Sequence, residues 1–377
     1  MPKKVLFVAT VVKTHIMQFH VPYLKMFQDM GWGTAVAAKN DYENPADCVI
    51  PFCDVYYDIP FQRIPWKKGN LRAYKMLKAI IEEGSYDLIH CHTPVGSIIA
   101  RLAAIGARKR GTKVIYTAHG FHFFSGAPVQ NWLLYFPMEW LCAFFTDVLI
   151  TINREDYYRA KRLMHPKRLE YVPGVGIDTE KFCHSAENRL EKRRELGFED
   201  DAFLMLTVAE MTKNKNHIMV LRAMEGLKSA PEFEKLHYLI VGRGEEWEHL
   251  KEAAQAMGIE NHVHFLGYRS DVPELYGSAD LFVFVPFREG LSVALMEAMG
   301  SGLPILCTKI RGNTDLIEDN VSGKFVENNP KALSAAIGSL WHDGEKREAL
   351  GREAQRKIQD FSAENVHKRM KDIYLSL

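Results

Sequence analysis

No pair of cysteines at CxxC spacing occurs in these 377 residues; the six cysteines stand apart at positions 48, 53, 91, 142, 183 and 307. That scatter weighs against a zinc site built on paired thiols and against a disulfide frame, and it favours free thiols in a reducing cytoplasm. Apolar runs reaching the ~20 residues of a membrane-spanning helix are missing as well. The apolar stretch behind Met1-Pro2-Lys3-Lys4, residues 5–10, is too short for a signal peptide and reads as a first buried strand. An excess of charge of either sign is also lacking. Lys and Arg number 48 against 47 Asp and Glu, a net charge of +1, so no global field draws in nucleic acid, and only a local basic patch stays open. What is present is 47% hydrophobic and 25% charged residues, the balance of a soluble globular protein long enough for two domains.

Apolar runs of strand length alternate with helical patterns along the whole chain. In the first half the strands are expected at residues 5–10, 34–38, 55–59, 86–94, 113–118, 148–152 and 169–172. Helices are expected at 70–83, 96–110 and 155–164, with Phe19, Tyr23, Phe27 and Met30 marking another by their spacing. A second series of strands follows at 203–208, 237–241, 263–266, 281–285, 305–308 and 323–326. The charged run 187–195 reads as a solvated helix near the domain boundary. Continuous apolar strands alternating with helices predict doubly wound parallel sheets, one in each half. Ligands of such sheets lie beyond the carboxyl ends of the strands.

Polar clusters stand at those ends in the first half: residues 10–20 with His15 and His20, residues 92–96 with His92, and His119-Gly120-Phe121-His122. His90 and His92 share a strand face by period two, and with Cys91 they suggest metal ligands. No second pair at zinc spacing completes such a set, so His92 is read as lining a cleft. His119 and His122 are either structural or functional, and Gly120 between them permits close backbone approach. Residues 131–145 are unusually apolar, with Trp132, Leu133, Leu134, Tyr135, Phe136, Trp140, Leu141, Phe144 and Phe145 interrupted by Pro137. They form either a core helix or an interfacial surface that contacts a membrane with the basic segments Trp66-Lys67-Lys68-Gly69 and 108–113.

In the second half, the strand at 281–285 exits into Pro286-Phe287-Arg288-Glu289-Gly290-Leu291-Ser292, and a helix bearing Glu297 is expected to open near Leu291 or Ser292. A helix N-terminus suits a phosphate, and a carboxylate suits a vicinal diol. Phosphate between two diol-binding carboxylates describes a nucleotide sugar; the alternative is an ordinary strand–loop–helix corner. The strand at 203–208 ends in Met211-Thr212-Lys213-Asn214-Lys215, whose lysines either neutralise a diphosphate or are simply solvated. Gly242-Arg243-Gly244 lacks the third glycine of a dinucleotide fingerprint, and Gly267-Tyr268-Arg269 marks a strand tip where a nucleobase could pack.

These residues resemble family 4 retaining glycosyltransferases of the GT-B fold, in particular the bacterial exopolysaccharide and capsule enzymes. The resemblance rests on FVFVPFREGLSVALMEAMGSGLP with Glu289-x7-Glu297, on Gly312-Asn313-Thr314-Asp315-Leu316-Ile317, on VPGVGIDTEKF and on HGFHFF, and it spans nearly the whole chain. It implies two Rossmann-like domains facing across a cleft: residues 1–180 on the acceptor side, completed by a C-terminal helix at 361–377, and residues 181–360 on the donor side. It implies that Glu297 holds the nucleotide ribose, that Glu289 contacts the transferred sugar, and that the N–H groups of Gly290, Leu291 and Ser292 hold the distal phosphate. Lys215 would bind the diphosphate, His119 would reach the donor sugar, and Arg269 would lie beside the base. His15, His92 and His122 belong to the acceptor side. The resemblance implies no metal and no cofactor, the nucleotide sugar, expected to be a UDP-sugar, being the substrate. The acceptor would be lipid-linked or an oligosaccharide, with peripheral contact at the inner face of the cell membrane.

Two departures from the family pattern stand out. Many relatives carry an arginine where this chain has Glu210, so Glu210 is expected to point away or pair with a lysine, with Lys213 supplying the missing charge. The glycine pair that many relatives place after the first strand is replaced by VVKTHIMQFHVP. The mechanism the family implies is front-face attack, the leaving phosphate taking the acceptor proton. Two alternatives remain on the same plan: a nucleotide-sugar 2-epimerase and a non-catalytic nucleotide-sugar-binding subunit.

Overall fold

The computed structural model describes residues 2–65, 67–182 and 186–377. Trp66 and Cys183 thus lie outside the described residues, and the other cysteines named above are free thiols. The chain divides into two units, Met1–Val172 with Arg369–Leu377, and Pro173–Lys368.

The first unit is built on seven strands: β1 Lys4–Val11, β2 Gly33–Lys39, β3 Val55–Asp58, β4 Leu88–His92, β5 Lys113–Ala118, β6 Val148–Thr151 and β7 Arg168–Tyr171. They run parallel in the order β3-β2-β1-β4-β5-β6-β7. The strand order reverses between β1 and β4, where Phe7 faces His90 and Val8 faces Cys91. Residues 5–9 of β1 are fully buried because helices cover both faces of the sheet. The final helix, Ala363–Leu375, gives its last turns to this unit. There the Tyr374 hydroxyl reaches His90 Nδ1 at 2.8 Å, and its ring packs on Phe27.

Two local features differ from the sequence expectation, and a third bears on its alternatives. The polar stretch after β1 forms a single π-helical turn, Val12–Ile16, which aims His15 back over the strand ends. The helix expected over 96–110 breaks at Ala104 into Pro94–Ala103 and Ile105–Lys109. The apolar helix Val129–Ala143 packs Trp132, Tyr135 and Phe136 against the core but is apolar on its outer face as well. It buries Glu139 and exposes Val129, Leu133, Leu134, Met138, Trp140 and Leu141. Glu139 is buried because Arg101, itself 1% exposed, donates to it at 2.7 Å and lies over the Tyr116 ring, while the Tyr116 hydroxyl donates at 3.2 Å.

The second unit carries β8 Phe203–Val208, β9 Leu236–Val241, β10 Val263–Gly267, β11 Leu281–Phe284, β12 Ile305–Thr308 and β13 Lys324–Val326. Their parallel order is β10-β9-β8-β11-β12-β13. Alternate residues of each strand enter two cores: Met205, Tyr238 and Val283 on one face, Leu206, Leu239 and Phe282 on the other. The turn at 173–178 belongs to this unit. Ile177 exchanges backbone hydrogen bonds with Phe361 and Ala363, and Gly174 at φ +78° abuts the Leu291 side chain. The charged helix Ala186–Glu195 is not simply solvated. Arg193 is 1% exposed, and its guanidinium donates to Asp280 and to the carbonyls of Ser278, Asp200 and Ala202. Each of its three nitrogens finds an acceptor, which is the condition for burying the charge.

Candidate functional site

The reversal of strand order in the second unit lies between β8 and β11, so the loops leaving these two strands meet at their carboxyl ends. They are tied together. Phe287 N–H donates to the Asn214 carbonyl at 2.9 Å, and Asn214 Nδ2 donates to the Arg288 carbonyl at 3.1 Å. Asn216, in the left-handed region at φ +59°, donates from Nδ2 to the Val285 carbonyl and opens the helix His217–Glu225. This stitching brings Lys215 onto Glu289 in an ion pair, with the ammonium also 5.2 Å from the centre of the Phe284 ring. Lys213 is exposed beside it, and Glu210 is exposed too, so its carboxylate turns to solvent. The Glu210 carbonyl lies 3.4 Å from His217 Nε2. Burial drives the His217 imidazole down to about 4.

The loop after Glu289 is held from behind. Arg311 donates from Nε to the Glu289 carbonyl at 3.0 Å. Gly312 sits at φ +82°, where an added Cβ would come within 2.4 Å of the Gly290 carbonyl oxygen. Ser292 caps the following helix, Val293–Gly300, by accepting from Leu295 N–H at 3.2 Å. The expected helix start is therefore placed one residue past Ser292, with Gly290 and Leu291 in the loop before it. One turn into the helix, Glu297 accepts from the Tyr276 hydroxyl at 3.1 Å. Burial raises the Glu297 pKa, opposed by that hydrogen bond and by Lys181.

Two glycine-rich tips border this loop system. An added Cβ on Gly242 or Gly244 would strike the carbonyl of Ala209 or Met211, so this pair lets the loops after β9 and β8 touch. A shallow cavity of about 450 Å³ is lined by Arg243, Trp247, Phe265 and Gly267. Next to it, the Arg269 guanidinium is engaged by Asp271 at 2.7 Å and faces Glu195 at 3.5 Å, leaving its backbone and the exposed Tyr268 at the tip.

In the first unit the switch point between β1 and β4 gathers the histidines. His119 Nε2 lies 3.4 Å from His92 Nδ1, His92 stacks on His20 at 3.7 Å between ring centres, and His15 lies 4.8 Å from His119. Burial lowers the pKa of all four, that of His119 to about 4, so these imidazoles are neutral at pH 7. His90 is separate: it contacts Tyr374 and Thr117, and Cys91 faces the opposite core, so the His90–Cys91–His92 trio is not a ligand set. A pocket of about 320 Å³ is lined by Thr10, His15, Arg63, Thr93, His122 and Tyr135 among others. It brings together His15 and His122, but not the buried His92. At its floor, Thr93 holds φ +61°, ψ 145°, a strained conformation for a β-branched residue, fixed by its hydroxyl 2.6 Å from that of Thr10. The His119–His122 loop is anchored by buried Asp156, which accepts from Phe121 N–H at 3.0 Å and is paired with Asn153. Sequence reasoning passed over Asp156 and Asn153; the Asn-x-x-Asp cap at the start of helix Arg154–Leu163 was the available signal. It also passed over Arg311, which sits directly before the Gly312 motif.

Comparison with known proteins adds two family models and several relatives. Residues 4–153 match the family described as glycosyl transferase 4-like, and residues 188–357 match glycosyl transferases group 1. A Bacillus subtilis (strain 168) protein named "Putative glycosyltransferase EpsD" is 40% identical over 99% of this chain and 97% of its own. An Escherichia coli UDP-Gal:alpha-D-GlcNAc-diphosphoundecaprenol alpha-1,3-galactosyltransferase is 28% identical over 82% of this chain and 79% of its own. The solved structure of Anabaena Alr3699/HepE in complex with UDP-glucose superposes with a TM-score of 0.81 at 19% identity, over 99% of this chain and 100% of that one.

Proposed function

The chain belongs to the family 4, GT-B glycosyltransferases, and from that premise we propose that it moves a sugar from a UDP-sugar to a lipid-linked acceptor, with retention, in cell-surface polysaccharide synthesis. The observation that carries the donor half is the loop system of the second unit. A cation, Lys215, is fixed on Glu289 at the N-terminal side of a helix that carries Glu297. In this reading Lys215, Lys213 and the N–H groups of Gly290, Leu291 and Ser292 meet the diphosphate. Glu297 takes the ribose diol, Glu289 the sugar hydroxyls, and the backbone near Arg269 the base. As the bond to the leaving phosphate breaks, negative charge grows there, and each fixed donor aimed at it supplies ~3 kcal/mol. The leaving phosphate takes the acceptor proton, so no separate base is required. His119 is assigned to the transferred sugar, and His15 and His122, which line the pocket, to the acceptor side; His92 is buried and stands outside that lining. The galactosyltransferase relative, whose name specifies a diphosphoundecaprenol acceptor, supports a lipid-linked acceptor here.

The exposed apolar face of Val129–Ala143 supports contact with a membrane surface that presents such an acceptor. Basic Lys109 and Arg110 are exposed near its end, where Arg108 reaches the Phe144 carbonyl at 3.5 Å. No described helix is long and apolar enough to cross a membrane. Incubating the protein with a panel of nucleotide sugars and a polyprenyl-diphosphate-linked sugar tests the reading. Transfer to the lipid with retained anomeric configuration supports it. An altered free nucleotide sugar points to epimerisation instead, and binding without turnover to a non-catalytic subunit.

A further inference from the structure

We propose that His15, His20, His92 and His119 form a binding site for one divalent transition metal of the zinc class. The four come from three separate places in the chain: the π-helical turn and its continuation after β1, the end of β4, and the end of β5. Yet one ring nitrogen from each lies within 4.8 Å of all the others, the one group of possible metal ligands found among the described residues.

Three observations point to a ligand rather than to ordinary packing. First, buried ring nitrogens lack hydrogen-bond partners: His15 Nε2 and both nitrogens of His20. Buried polar atoms are normally paired, and an unpaired one costs about 1–3 kcal/mol. Each neutral imidazole carries one lone pair, and a metal ion shared by the rings would accept one from each. Second, the spacing fits. Zinc–nitrogen bonds of about 2.0–2.1 Å arranged tetrahedrally place the ligand nitrogens ~3.4 Å apart and the ring centres roughly 5 Å apart. His119 Nε2 and His92 Nδ1 are 3.4 Å apart, and the ring centres of His15, His92 and His119 are separated by 4.8, 5.7 and 5.6 Å. His20, stacked on His92 at 3.7 Å, is the ring that turns to complete the set. Third, the donor set is chemically uniform: four imidazoles, the side chains that most often ligate transition metals. No carboxylate belongs to the cluster, so the ligand set is all nitrogen and favours zinc or a neighbouring transition metal over magnesium or calcium.

An entry path exists, because His15 is only partly buried and lines the 320 Å³ pocket at the strand ends. A metal here staples the ends of β1, β4 and β5 and fixes the loop that carries His119. Each imidazole uses one nitrogen for the metal and keeps the other. Metal binding is read without a nucleotide sugar, so the site and the donor reading can fail separately.

The test uses the full chain, stripped with a chelator and dialysed, then titrated with Zn²⁺ against a chromophoric indicator and with Co²⁺ by visible absorption. The expected result is one equivalent bound with submicromolar affinity, and a Co²⁺ spectrum of tetrahedral intensity. His15→Ala and His119→Ala should weaken binding by at least the roughly 10–100-fold that loss of an outer-shell partner costs. His249→Ala and His342→Ala, on exposed side chains, should leave it unchanged. Circular dichroism of the metal-free variants checks that they fold. Should His15→Ala unfold, His15→Gln replaces it. No saturable one-to-one binding, or binding that both cluster variants retain at full strength, overturns the proposal.

Discussion

Replacing Lys215 by Met leaves Glu289, only 15% exposed, without its cation. Two unit charges ~4 Å apart attract by about 4 kcal/mol at an effective dielectric of 20. Both side chains keep some contact with water, so screening and desolvation reduce the net value to about 1–2 kcal/mol. Lys215→Met and Glu289→Gln should therefore each lower the melting temperature of the second unit by roughly 2–4 °C per kcal/mol lost. The double variant should lose less than the sum, with a coupling of about 1–2 kcal/mol in a double-mutant cycle followed by thermal and urea unfolding at pH 7. In transfer assays Lys215→Met should lower kcat by about 100-fold, the equivalent of ~3 kcal/mol of leaving-group stabilisation. Stability losses that add within about 0.5 kcal/mol would refute the claim that this pair is what fixes the loop. An unchanged kcat would refute the role given to the lysine.

Gly312→Ala should destabilise the protein by at least ~1–3 kcal/mol, because it combines a positive φ with a Cβ 2.4 Å from a backbone oxygen; the same variant should weaken UDP binding, read by calorimetry. Asp147 contributes an acid-sensitive term. Burial alone would raise its pKa, but Arg108, Lys167 and Val114 N–H hold it down to about 2. Its stabilisation is full above the unfolded value near 3.8 and is lost as pH falls through about 2. After discounting for screening it is worth about 1–2 kcal/mol. Asp147→Asn should remove it at pH 7 and flatten the urea midpoint between pH 4 and pH 2, whereas an unaltered slope contradicts the assignment. Arg101→Met should cost about 3–5 kcal/mol by stranding Glu139, and Arg101→Met with Glu139→Leu should recover most of that loss; a double variant as unstable as the single one contradicts it.

The sheets were legible in the sequence because strands buried on both faces are continuous apolar runs, and 203–208, 113–118 and 305–308 were placed to the residue. The helix expected to open near Leu291 or Ser292 begins at Val293. The contacts that make the sites were not legible. Lys215 and Glu289 are 74 residues apart, and they meet only because β8 and β11 are neighbours where the strand order reverses. The histidines meet for the same reason at β1 and β4, and their spacing along the chain carries no trace of it. Arg193 and Glu139 defeat composition in opposite ways. One sits in a charged run and is buried by acceptors from two chain segments, 200–202 and 278–280. The other is the single charge in an apolar helix and turns inward toward Arg101, while Leu133, Leu134 and Trp140 stay exposed. Side-chain charge predicts exposure only until a partner satisfies it.

The central claim is that the second unit's loop system holds a UDP-sugar through Glu297. The direct measurement is UDP-sugar affinity by isothermal calorimetry for the wild-type chain and for Glu297→Ala, both checked for folding by circular dichroism. The account predicts saturable binding to the wild type and a loss of about 2–3 kcal/mol or more in the variant, from the charge-assisted hydrogen bonds to the ribose diol. Equal affinity in the two proteins would contradict it.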